Sequence, residues 1–183
     1  PTIEQFWLSF TAAYYKLGCS LYQMSRLKDA TKSFRQAIVL KPAYAEANNN
    51  CGVTLKEQGE LEKATAHYTW AIALKPDYAE AYTNRGYIFA TNGQHSKAIG
   101  NYNKAIPCYE TAISSKSDFI DPNLNLGIIY INQGKLEKAL DHLKRVIQIQ
   151  PTNIKSHAII ANIYKKQRNF KSAIDSYKKI YEV

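Results

Sequence analysis

The residues of this chain return every 34 positions, and that period constrains the fold more than any other feature. Between Ala45 and Pro76, Leu61, Ala64, Tyr68, Ala71, Ile72 and Leu74 recur in helical steps, and Gly59 separates them from an earlier helical segment that contains Gly52. The unit is a helical hairpin, too small to bury its own apolar stripe. Counting Ala45 as position 1, the glycine at position 8 returns as Gly18, Gly52, Gly86 and Gly127, with Ala161 in the last copy. Position 20 is Ala30, Ala64, Ala98, Ala139 and Ala173, and position 24 is Phe34, Tyr68, Tyr102, Leu143 and Tyr177. Pro42, Pro76 and Pro151 close three of the copies. Small residues where helices cross and large ones filling the gap predict hairpins stacked on a shared core. Pro76 with Asp77 is expected to stop one helix and cap the next.

The third copy departs from the period. Gly86 and Gly127 are 41 residues apart, seven more than the period, and the extra seven are a duplicated heptad: Lys97-Ala98-Ile99 returns as Lys104-Ala105-Ile106, and Tyr102 returns as Tyr109. Two added turns keep one face toward the core, so a single long helix over about 95–115 is expected, bent where Pro107 removes a backbone donor. Asp118 is placed to cap the helix that follows. At the other end, Trp7, Phe10, Tyr14, Leu17 and Leu21 predict one helix from about Ile3 to Met24, with Thr2 and Gln5 as a capping box. In the first turn, Ser25 stands where a glycine is expected.

The pattern resembles the tetratricopeptide repeat family over residues 11–183, in copies at 11–44, 45–78, 79–119, 120–153 and 154–183, with residues 1–10 as a helical extension. The resemblance implies an all-α, right-handed solenoid, a single repeat domain whose first helices line a groove for an extended segment of a partner protein. In that family, positions 2, 5, 6, 9, 12 and 13 face the partner. Position 6 is Lys16, Asn50, Asn84, Asn125 and Ile159. The three asparagines resemble the row in the repeat region of O-linked N-acetylglucosamine transferases, which grips a peptide backbone. A carboxamide suits this, since it offers a donor and an acceptor to any peptide group. Tyr15, Tyr87 and Arg85 join the candidate groove residues. The carboxylate clamp of cochaperones is disfavoured, because Glu46, Glu80 and Asp121 at position 2 repel a carboxylate terminus.

No catalytic or metal constellation is legible, so a non-enzymatic scaffold without cofactor is expected. His67, His95, His142 and His157 come from different copies, and His67 and His142 share position 23, which suggests one structural slot used twice. An alternative from another class is a substrate-recruiting or targeting region of a larger glycosyl- or sulfotransferase. There is no apolar run near the length of a membrane span and no leader segment. Cys19, Cys51 and Cys108 lack paired spacing and suggest reduced thiols in the cytoplasm.

The charge of +9 is uneven. Residues 135–183 hold eleven Lys and Arg against four acids, whereas residues 1–134 hold thirteen against eleven. Nucleic-acid binding through the basic end is disfavoured, because the aromatics occupy core positions instead of interleaving with the cations. Trp70, on the outer side of its helix, is either a partner anchor or packed against a neighbour. The last hairpin has no polar helix over its apolar face. Either more chain follows Val183 or another molecule covers that end, and self-association through Ile160, Ile163, Tyr164 and Tyr177, as a homodimer, is expected.

Overall fold

The computed structural model describes residues 2–115 and 118–181, and for residues 3–6 the backbone alone. Ten α-helices make up the described residues: α1 (Ile3–Gln23), α2 (Leu27–Leu40), α3 (Ala45–Glu57), α4 (Leu61–Leu74), α5 (Ala79–Thr91), α6 (His95–Ser115), α7 (Ile120–Asn132), α8 (Leu136–Ile149), α9 (Ile154–Lys166) and α10 (Phe170–Tyr181). Packing divides the chain into two compact units, one ending at Ala105 and the other starting at Ile106. In the first, hairpins α1/α2 and α3/α4 stack with α5, second helix against next first helix, and α1, α3 and α5 are successive neighbours along one face. In the second, α7/α8 and α9/α10 stack through α8 and α9. The fold is an all-α solenoid of antiparallel helix pairs.

Close approach at position 8 locks each hairpin. A Cβ on Gly52 would lie 2.6 Å from the ring of Tyr68, and one on Gly18 would lie 2.7 Å from the ring of Phe34. Gly86 meets Tyr102 in the same way, and Gly127 meets Leu143, each at 2.8 Å. Phe34, Tyr68, Tyr102 and Leu143 are almost wholly buried as a result. The inner turns repeat a second device: Ser25, Gly59, Gly93, Gly134 and Arg168, all at position 15, have φ between 57° and 80°. Ser25 and Arg168 thus accept a left-handed backbone that disfavours side chains.

The duplicated heptad behaves as its spacing predicts. The helix α6 runs unbroken for 21 residues through Pro107. Both heptads bury the same face, with Ala98, Tyr102, Ala105 and Tyr109 at 3% exposure or less.

The caps differ from expectation. Asp77 does not cap: the N-cap residue of α5 is Tyr78, without a side-chain cap bond, and the N-cap position of α7 is Phe119, one residue after Asp118. Each helix starts one residue later than the acid would require, with an aromatic residue at the entry. The expected box at Thr2 and Gln5 falls on a side chain outside the described residues. Asn153 does cap α9, accepting from the Ser156 backbone N–H at 2.9 Å.

Gly52→Ala should therefore destabilise the fold by about 1–2 kcal/mol, since overpacking at ~1–3 kcal/mol exceeds the ~1 kcal/mol gain in helix propensity. Gly100→Ala, at a helical glycine with open space around its Cβ, should be neutral or stabilising. Urea melts of both variants check this opposition of sign.

Candidate peptide-binding face

The first-helix face of the N-terminal unit carries a run of side-chain hydrogen bonds from α5 to α1. Asn84 Nδ2 donates to Asn49 Oδ1 at 3.3 Å, and Asn49 Nδ2 donates to Asn50 Oδ1 at 3.3 Å. Asn50 Nδ2 donates in turn to the Tyr15 hydroxyl at 3.0 Å. Every amide donates in the same sense, so the dipoles reinforce one another. Asn49 is buried, whereas Asn50, Asn84 and Tyr15 are half-buried and reach solvent. Asn125 belongs to the C-terminal unit, on α7, where it is half-buried.

Aromatic rings flank this run. The Tyr15 ring packs against Tyr44 with centroids 5.0 Å apart, and against Phe34 at 5.8 Å. Lys41 lies over Tyr44 at 4.9 Å and Lys75 over Tyr78 at 5.0 Å, the same i, i+3 pairing in consecutive repeats. Tyr44 and Tyr78 are also the entry residues of α3 and α5, which explains why a short capping side chain is absent there. Tyr78 hydrogen-bonds Asn49 and lies near Glu80 and Glu46, with burial as the main force raising its pKa. Tyr87 is 45% exposed beneath Lys56, whose ammonium sits 5.5 Å from the ring. Lys16 is exposed on α1.

Two sets of expected site residues lie elsewhere. Arg85 turns to second-helix side chains: Nε donates to Asn101 Oδ1 at 2.9 Å and Nη1 to Thr69 Oγ1 at 3.0 Å, with Tyr82 under the guanidinium. Its charge is spent on packing, not on the first-helix face. Ile160 and Ile163 are 3% and 2% exposed, buried within their own unit, so they are not surface residues. Tyr164 and Tyr177 are half-buried, and the Tyr177 hydroxyl donates to Asn162. The large apolar side chains that α10 does expose are Phe170, Ile174 and Tyr181. Trp70 is 64% exposed on α4, so the packed alternative does not hold.

His67 and His142 occupy the same slot. His67 Nδ1–H donates to Asn48 Oδ1 at 3.1 Å, and His142 Nδ1–H donates to Asn123 Oδ1 at 3.0 Å. Both asparagines donate back to the carbonyl of the helix-entry residue. In the first slot the Cys51 sulfur lies 3.6 Å from His67 Nε2, a Cys-His-Asn arrangement familiar from nucleophilic catalysis. The chemistry opposes that use. Cys51 is fully buried, and burial pushes its thiol up to about 11, with Arg35 opposing; burial lowers His67. Both groups are neutral at pH 7, and Leu126 takes the place of Cys51 in the second slot. No cluster of three or more metal-ligating side chains occurs among the described residues.

Tetratricopeptide-repeat models match residues 18–59 and 54–93, then 97–119, 123–153 and 154–183. The chain is built of tetratricopeptide repeats. No curated protein sequence matches it. Among solved structures, a thermophilic TPR protein of Thermus thermophilus is 20% identical, with TM-score 0.75 over 94% of this chain and 90% of that one. The pilF protein of Pseudomonas aeruginosa is 18% identical, with TM-score 0.72 over 96% and 77%. A MamA fragment of Desulfovibrio magneticus is 17% identical, with TM-score 0.62 over 94% of each. At these identities the likeness is one of fold. Tetratricopeptide repeats generally mediate binding to protein partners, and no helix of the described residues is long and apolar enough to cross a membrane.

Burial raises the tyrosines of this unit, Tyr15 and Tyr22 to about 12. A raised phenol binds its proton more tightly when folded, so the stability is present below pH 10 and is lost as pH rises through 10 toward 12. Ultraviolet titration should show a class of tyrosines that ionise only above their ordinary value near 10, together with falling thermal stability over the same window.

Proposed function

We propose that the first-helix face of the N-terminal unit holds an extended segment of a partner protein. The observation that carries this reading is the run Asn84, Asn49, Asn50, Tyr15: half-buried Asn50 and Asn84 held by the buried Asn49 and by the Tyr15 hydroxyl along three successive first helices. Groups already ordered lose little freedom on binding. Asn50 and Asn84 take the part that the asparagine row plays in O-linked N-acetylglucosamine transferase repeats, pairing with main-chain groups whatever the side chains. Tyr15, Tyr44, Tyr78 and Tyr87 supply apolar walls, Lys16 and Lys56 supply positive charge, and Glu46 and Glu80 supply negative charge. Asn125 extends the same role to the C-terminal unit. A reducing, cytoplasmic setting fits the three cysteines, which form no disulfide. Any homodimer would use Phe170, Ile174 and Tyr181 beside Tyr164 and Tyr177.

Peptides selected from a displayed library of unstructured sequences provide the probe. Replacing Asn50 and Asn84 together by Ala should weaken binding about tenfold or more, as expected for two or more lost hydrogen bonds at 0.5–1.5 kcal/mol each. Asn125→Ala measures the second unit separately. Selected peptides that bind the double variant unchanged, with its melting temperature intact, would remove the asparagines from the site.

A further inference from the structure

A second site lies away from the asparagine run, between α2 and the turn joining α3 to α4. Lys28, Lys32 and Arg35 are spaced i, i+4, i+7 on one face of α2, and Lys63 reaches in from α4. Together with Thr31, Gln36, Leu55, Gln58 and Glu60 they line a cavity of about 320 Å³. Four cations face one carboxylate there. Lys63 pairs with Glu60, and that carboxyl is held below its ordinary value first by this bond, then by the charges of Lys63, Arg35 and Lys28. The floor is cross-linked: Gln58 Nε2 donates to Thr31 Oγ1 at 2.8 Å, and Thr31 donates to Thr54 at 2.8 Å.

The fold does not require this charge. Lys28, Lys32 and Arg35 occupy positions 18, 22 and 25, which are Glu62, Ala66 and Thr69 on α4, Ser96, Gly100 and Asn103 on α6, and Glu137, Asp141 and Lys144 on α8. Only α2 carries a cation at all three positions: α4 and α6 have none, α8 has Lys144 alone, and α10 has Lys171 and Lys178 with Asp175 between them. Like charges at i, i+4 cost a helix a little stability, and Glu60 is the one carboxylate in the cavity lining to offset Lys28, Lys32, Arg35 and Lys63.

We infer that this cavity binds a compact phosphate dianion, either a free phosphate compound or a phosphorylated side chain of a partner. A pocket this small, lined by four cations, suits a point of concentrated charge better than an extended polyanion. It uses none of the residues of the proposed peptide face.

The test uses the whole chain and four probes at constant ionic strength: inorganic phosphate, pyrophosphate, O-phosphoserine within a short peptide, and chloride as the reference. The phosphate probes should bind saturably and raise the melting temperature, while chloride does neither. Binding by the phosphopeptide beyond that of inorganic phosphate identifies a phosphorylated side chain as the source, and the reverse order identifies a free compound. Lys32→Gln with Arg35→Gln should weaken the best probe about tenfold or more, since charge-assisted hydrogen bonds contribute about twice a neutral one. Lys144→Gln with Arg145→Gln on α8 removes the same charge elsewhere and should change it less than about twofold. Both pairs are exposed, and their melting temperatures without probe verify folding. Equal sensitivity of the two double variants, the absence of saturable binding by any phosphate probe at about 10 mM, or RNA binding that phosphate does not displace would each overturn the assignment.

Discussion

Everything in this molecule depends on how closely two helices of a hairpin approach at position 8. The glycine there brings the first-helix backbone against the ring at position 24, and the ring in turn fills the space between hairpins. Unit 1 shows the consequence: Phe34 and Tyr68 belong to one cluster with Leu21, Ala30, Cys51, Leu55, Ala64 and Ile88, contributed by α1 through α5. The fifth copy shows what happens when the contact is altered. Ala161 replaces the glycine, Tyr177 is half-buried where its equivalents Tyr68 and Tyr102 are buried, and its hydroxyl bonds Asn162.

Burying so many helices close together leaves polar atoms to be satisfied, and the repeats do so with side chains that bridge helices. The Asn-His slot is one example, and Arg85 with Asn101 and Thr69 is its variant in the third copy, where position 4 is Tyr82 and position 23 is Asn101. The Thr31, Thr54 and Gln58 bridge joins consecutive repeats in the same manner. Not all atoms find partners: the buried Tyr68 hydroxyl has no hydrogen bond. The ring is held there by its fit to Gly52, and that packing outweighs one hydroxyl left unpaired.

Much of the fold was legible because the period is local information. Glycine, alanine and ring positions recur in phase, and the heptad duplication in α6 preserves the helical face whatever surrounds it. Capping differs from expectation at Asp77 because acids signal helix starts in isolation, whereas here Tyr78, with Lys75 over its ring, stands at the entry of α5. The role of Asn49 as the link between Asn50 and Asn84 was not legible, since it needs α3 and α5 side by side; only its place next to Asn50 hinted at it. Ile160 and Ile163 were misjudged for a related reason. Apolar spacing marks a helical face but not its owner, and their own unit already buries them.

Charge was the least legible property. Summed along the chain, the excess belongs to residues 135–183, yet Lys144, Arg145, Lys165, Lys166, Lys178 and Lys179 stand exposed on several helices, where salt screens each within about 8–10 Å. Residues 1–134 are nearly balanced, and it is there that four cations enclose one cavity with one acid among them. A sum treats Glu46, Glu80 and Lys28 as if they cancelled. They do not, because Glu46 and Glu80 lie on first helices beside Tyr44 and Tyr78, and Lys28 lies on α2, where it lines the cavity that Glu60 also lines. Alternating first and second helices divides each repeat between two surfaces, so the two can carry opposite electrostatic character while residues 1–134 together, thirteen cations against eleven acids, stay close to balance.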